Sequence, residues 1–218
     1  MNPNDHDSKS DNPDAVASQA GAKAPVWLLT GFGAFVVAIG YLLVTSLTPR
    51  STAVYEPSAM EPADTRITSL VYDTVTIDAV DPTTWTFFDF DRHSLLAVPD
   101  TGGWDLAVRR FTVIAADAAI DLGKVVFDEV INAPSSNYVA TVFERDTVNA
   151  AMERWYSYSL LSHLLEPNGH VYVVRTREGR YAKLEFLSYY CPGVVAGCVT
   201  FRYVYQPSGS AAFGGSRQ

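Results

Sequence analysis

Two pairs of residues in this chain have types and spacings that could do chemistry. Asp89 and Asp91 stand two apart in FFDFDRH, and Cys191 and Cys198 stand seven apart in YYCPGVVAGCVTF. Paired carboxylates can exchange protons with a substrate. Their setting also suits the end of a strand running into a turn, where Asp side chains bond their own backbone, and that is the role expected here. A disulfide between the two cysteines would close a short hairpin loop and contribute about 2–3 kcal/mol. It requires an oxidising compartment, whereas a cytoplasmic domain would keep both thiols free. Two cysteines alone do not make a zinc site. The chain holds no G-x-S-x-G, no P-loop, no HExxH and no metal-spaced His cluster. No enzymatic role is expected.

The elements around these residues read as strands. Val199, Phe201, Tyr203 and Tyr205 fall on one face, with Thr200, Arg202 and Val204 on the other. Ala182, Leu184 and Phe186 alternate with Tyr181, Lys183 and Glu185. Val171–Arg177 precedes them, and Glu178-Gly179 between the two runs signals a tight hairpin. Val71–Ile77, Trp85–Phe90, Trp104–Ile114 and Val125–Ile131 are further strand candidates. One helix is expected from Asp146, as a cap, through Arg154, and a second over Ala115–Leu122. The fold class is all-β, mainly antiparallel sheet with few short helices.

Ahead of this domain, residues 26–47 read VWLLTGFGAFVVAIGYLLVTSL without a charge. At about 1.5 Å per residue the run spans roughly 33 Å, the thickness of a bilayer's hydrocarbon core. It is longer than a signal-peptide apolar region, and four aspartates against two lysines precede it. No cysteine follows it that could carry a lipid. A single-pass anchor is expected, with residues 25–48 in or at the bilayer. Lys9 and Lys23 on one side against Arg50 and Arg66 on the other leave orientation undecided by charge. The cysteines favour a cytoplasmic N-terminus and a periplasmic domain at an inner membrane. Thr30, Gly33, Ala34 and Ala38 give the helix a small-residue face on which another helix could pack.

Composition divides the rest. Residues 1–24 are polar and expected to be a disordered cytoplasmic tail. Residues 49–66 hold several prolines and read as an extended linker. Residues 67–206 form the β domain, and the Gly/Ser-rich 207–218 is expected to be loose or docked on a partner. Beyond the anchor, 13 Lys and Arg face 20 Asp and Glu, which excludes nucleic acid as a partner.

Two blocks resemble a known family. Trp104-Asp105-Leu106-Ala107, followed by a basic strand, is similar to a segment of the HmuY family of haem-binding proteins. So are Trp155-Tyr156, Tyr158, His163, Pro167, HVYVVRTREGRYAKLEFLSYY from His170 to Tyr190, and FRYVYQ at Phe201–Gln206. The resemblance covers roughly residues 70–210 and implies an all-β domain. It also implies that haem is a possible cofactor, held between axial His or Met side chains from loops. Candidates here are His163 and His170, which flank LLEPNG and could converge on one iron, and then Met152 and His93. The absence of CxxCH excludes covalent c-type attachment. The family's usual members are lipoproteins or secreted, whereas this chain has an apolar helix.

Two functions follow as expectations. The first is a non-enzymatic accessory subunit that requires no cofactor of its own. Its helix and β domain would dock on a larger inner-membrane complex of electron transport, such as a photosynthetic reaction centre. The alternative is binding of haem or another tetrapyrrole at the membrane surface.

Overall fold

The computed structural model describes residues 25–47, 52–58, 68–96, 103–143, 147–160 and 162–214. The chain forms two compact units, Met1–Pro49 and Arg50–Gln218. Among its described residues, the first unit forms one helix, α1 (Val26–Leu47), 22 residues long. Its side chains through Val44 are exposed, as expected of a helix whose apolar surface has no protein partner within the unit. Thr30 Oγ1 donates to the carbonyls of Val26 and Trp27 at 3.1 and 3.0 Å, so this hydroxyl is satisfied within its own helix. Gly33, Ala34 and Ala38 remain open.

The second unit is all-β. A six-stranded antiparallel sheet has the order β1 (Val71–Asp78), β12 (Val195–Gln206), β11 (Tyr181–Cys191), β10 (Val171–Arg175), β6 (Ala118–Asp121) and β7 (Val139–Ala140). A four-stranded sheet has the order β3 (Ser94–Leu96), β2 (Thr86–Asp89), β4 (Leu106–Arg109) and β5 (Thr112–Ala115). β8 (Tyr156–Tyr158) and β9 (Leu165–Pro167) pair as a separate two-stranded ribbon packed on the main core.

The near-continuous apolar run VYVV in β10 has a physical cause: both faces of this sheet are covered. Tyr172 and Val174 enter the main core with Leu184, Phe186, Phe201 and Tyr203, together with Phe88, Leu106 and Val108 of the smaller sheet. Val171 and Val173 point the other way, into a second core with Val204, Phe127, Ala133 and Phe213. Each buried Val, Leu or Phe side chain among them contributes about 1.5–3 kcal/mol on leaving water. Lys183 lies on this second face, 3% exposed, and donates to the carbonyls of Phe127 and Val130 at 2.7 and 2.9 Å. Burial lowers its ammonium pKa.

Three helix or strand expectations give way to packing. Ala115–Leu122 is the end of β5, a turn and β6; its alanines fit a crowded sheet, where Ala118 and Ala119 are fully buried and pair with β7 and β10. Val125–Ile131 is no strand. It contains a 3-10 turn, Phe127–Glu129, which puts Phe127 in the second core with Val130 packed against it, while Val125, Val126 and Ile131 stay exposed. The helix expected to run to Arg154 is a single turn at Asn149–Met152, closed by Met152 N–H to Asn149 C=O at 2.9 Å. Asn149 Oδ1 accepts from Ala151 N–H at 3.1 Å at the start of this turn. Asp146 lies outside the described residues.

The β10–β11 hairpin turns through residues 176–180, with Thr176 N–H donating to Arg180 C=O at 2.9 Å and Gly179 at φ 75°. Cys191 and Cys198 are joined in a disulfide across the β11–β12 hairpin. Gly197 is required there: at φ 125°, a Cβ would sit 2.7 Å from Val80 Cα. Linker residues 52–58 lie along the domain. Val54 bridges to Tyr190, Ser188 Oγ donates to Ala53 C=O, Ser58 N–H donates to Thr76 C=O at 2.9 Å, and Thr76 N–H to Ser58 Oγ at 3.0 Å. The described part of the tail, residues 207–214, is held to the domain itself rather than loose or docked on a partner. Phe213 is buried, its N–H bonds to Ile131 C=O at 2.8 Å, and Tyr72 Oη donates to its carbonyl at 3.0 Å.

Candidate ligand-binding site

The ribbon β8–β9 carries the side chains of interest. Tyr156 and Tyr158 alternate along β8 and so share a face. Tyr156 meets Phe111, on the β4–β5 turn, edge-on at 5.5 Å, and Trp155 at 5.4 Å. Trp155 is fully buried and donates Nε1–H to Phe111 C=O at 2.7 Å, which locks the ribbon to that turn. A cleft of about 210 Å³ opens here, lined by Phe111, Thr112, Val113, Val148, Asn149, Glu153 and Tyr156. Val142 bridges to Val148, and Val142, Phe143, Tyr158 and Leu160 are exposed nearby in the chain.

His163 sits at the tip of the ribbon, exposed, with φ 55°. Its N–H donates to Ser159 C=O at 2.9 Å, and its Nδ1 is 2.7 Å from Tyr158 Oη. A metal-binding imidazole usually has its second nitrogen held in this way. A metal held at Nε2 would leave the proton on Nδ1, to be donated to Tyr158 Oη, since a phenol oxygen accepts as well as donates.

The other expected donors do not join it. His170 lies at the opposite end of the ribbon, beyond Asn168, whose N–H bonds to Trp155 C=O. There the His170 Nδ1 pairs with Asp121 at 2.9 Å. The two histidines are therefore not brought together on one iron. Met152 is wholly buried in the main core. His93 has both ring nitrogens engaged, by Asp73 and Tyr203. Among the described residues no three His, Cys, Asp or Glu side chains form a metal cage. A larger cleft of about 340 Å³, between Thr52–Ala53, β9 and Leu187–Tyr190, holds no His, Met or Cys donor.

The paired aspartates end a strand, as expected. Asp89 Oδ1 accepts from Asp91 N–H at 2.8 Å and Arg92 N–H at 3.2 Å, and Asp91 pairs with Arg180. The carboxylate that sequence reasoning passed over is Asp105. It is 4% exposed and accepts Phe90 N–H at 2.9 Å, and burial, with Asp89, Glu178 and Asp91 nearby, pushes its pKa up to about 8. No periodicity marks it, because its burial comes from the partner sheet and turn.

The family described as HmuY protein matches residues 81–203, more than half of the chain. Among solved structures, the apo HmuY analog from Tannerella forsythia superposes with a TM-score of 0.57 at 20% identity, covering 65% of this chain and 98% of that one. A protein from Bacteroides vulgatus described as HmuY-like and heme-binding gives 0.50 at 25% identity, covering 61% and 90%. One from Bacteroides fragilis described as a lipoprotein gives 0.52 at 19%, covering 62% and 90%. No curated protein matches the chain.

Proposed function

Because the chain belongs to the HmuY family, we propose that its β domain binds haem or a related tetrapyrrole, with His163 as an axial ligand. The observation that carries this is the exposed imidazole of His163, anchored through Nδ1 to Tyr158 Oη at 2.7 Å beside an aromatic face. The fit is one-sided. The described residues supply one available imidazole and the aromatic side chains of Phe111, Tyr156 and Tyr158, which suit an open porphyrin face rather than an enclosed one. When bound, haem would supply a redox-active, ligand-binding iron. The protein's part is to hold that iron through Nε2 and to shield one porphyrin face from water. The Bacteroides vulgatus relative, named for heme binding, supports the same reading.

The apolar helix α1 tethers this site to a membrane, the domain outside and the N-terminus in the cytoplasm. The disulfide supports that side, since it belongs to an oxidising compartment. The accessory-subunit reading, with its photosynthetic host, draws no support from these relatives. The helix face of Gly33, Ala34 and Ala38 stays available to a partner helix.

The test is a haemin titration of the full-length protein in mild detergent. A saturable Soret shift is expected for wild type and for H170A, and its loss for H163A. A wild-type protein that leaves the haemin spectrum unchanged ends the proposal, and an unchanged titration in H163A ends the assignment of the ligand.

A further inference from the structure

His93 bridges two residues that face each other across adjacent strands. In the β1–β12 register Asp73 lies opposite Tyr203. His93 reaches both from the β2–β3 turn, its Nε2 2.8 Å from Asp73 Oδ2 and its Nδ1 bonded to Tyr203 Oη. The proton positions follow from the chemistry of the groups. An ionised carboxylate only accepts, so a neutral His93 carries its proton on Nε2. Its Nδ1 is then a bare lone pair, and Tyr203 donates its hydroxyl to it.

Tyr203 is 1% exposed, while the His93 and Asp73 side chains are 39% and 43% exposed. Burial, with Asp73 behind it, raises the pKa of the phenol, so simple ionisation is closed to it. A proton can leave such a phenol when an electron leaves with it. The backbone of His93 is itself a signal. It adopts φ 52°, a left-handed conformation that a non-glycine residue holds at a cost, and such residues gather at functional sites.

We propose that Tyr203 is a redox-active tyrosine, with His93 as its proton acceptor and Asp73 as the counter-charge. A one-electron oxidant takes an electron from the Tyr203 ring. The Oη–H bond breaks, and its proton forms a bond to His93 Nδ1. The products are a neutral phenoxyl radical, an imidazolium held by Asp73, and the oxidant reduced by one electron. A one-electron reductant reverses the step, and the proton returns to Oη.

A route for the electron is present in the core. Ring centroids run from Tyr203 to Phe201 at 5.9 Å, on to Phe186 at 6.1 Å, and to Trp155 at 4.5 Å. Trp155 is the indole beneath the Phe111–Tyr156 face. The relay would thus draw oxidising equivalents away from a haem on that face, and this last link alone rests on the haem reading.

The test uses full-length protein in detergent without haem, so that failure of haem binding leaves it intact. Photogenerated tris(bipyridine)ruthenium(III) supplies the oxidant, and electron paramagnetic resonance reads the radical. A tyrosyl signal that outlives those of exposed tyrosines is expected in wild type and lost in Y203F. H93Q keeps a polar side chain but removes the base, and should lose most of the persistent signal. If Y203F does not fold, H93Q decides the matter. A persistent signal of wild-type amplitude in either folded variant overturns the proposal.

Discussion

The replacement of Asp105 by asparagine isolates one buried proton. In the native protein the Asp105 carboxyl is 4% exposed and has its pKa at about 8, chiefly through burial. In the unfolded chain it titrates near the ordinary value of about 3.9. The folded pKa is raised, so the native state holds a proton that the unfolded chain releases. The corresponding stability is complete below pH 4 and is lost as pH rises through the window from about 4 to 8. At about 1.4 kcal/mol per pH unit, Asp105 alone should cost up to roughly 3 kcal/mol between pH 5 and 7. In D105N the amide oxygen can still accept Phe90 N–H, and no proton is at stake. The variant should therefore lose that component of the slope and gain up to about 4 kcal/mol over wild type at pH 7. Urea unfolding of the full-length protein in mild detergent, followed by tryptophan fluorescence at pH 5, 6 and 7, measures the difference. Groups that titrate identically in both proteins cancel. Parallel pH profiles for wild type and D105N would refute the reasoning.

Other perturbations test the frame. The double variant C191S/C198S opens a loop of sequence separation 7 and should lower stability by about 2.5 kcal/mol in the same unfolding assay, with an unchanged far-ultraviolet spectrum. K183M keeps the stem but removes two charge-assisted bonds to the carbonyls of Phe127 and Val130. It should cost about 2–4 kcal/mol and speed amide exchange at Val130 and Phe213, whereas exchange in β2 and β4 stays near wild type.

Strands with a one-sided or two-sided apolar pattern were legible in the sequence. β11 and β12 form over the runs whose residues alternate, β1 and β10 over the other expected strand segments, and the two cysteines close the hairpin between β11 and β12. What misled the reading was local propensity. The alanines of Ala115–Leu122 favour a helix in isolation, yet their small size is what lets β6 pair closely with β10 and β7. Phe213, alone in a Gly/Ser-rich tail, carries no period and still fills the second core. Of the site, His163 was legible as a candidate through the family's motif, whereas its bond to Tyr158 was not. His93, expected with Met152 as a further possible ligand, bridges two strands. Its two partners come from β1 and β12, over 100 residues away in one case, and no spacing rule reaches that far.

The seating of residues 52–58 on the domain has a consequence for solubility. β1 is an outer strand of the six-stranded sheet, and an open strand edge is a template for pairing between molecules. Ser58 occupies both backbone groups of Thr76 on that edge, one through its own N–H and the other through its hydroxyl. The segment that follows the apolar helix therefore covers that edge at Thr76. A protein trimmed to begin at the first strand would expose that edge and should aggregate by strand addition, whereas one beginning at Thr52 should stay dispersed.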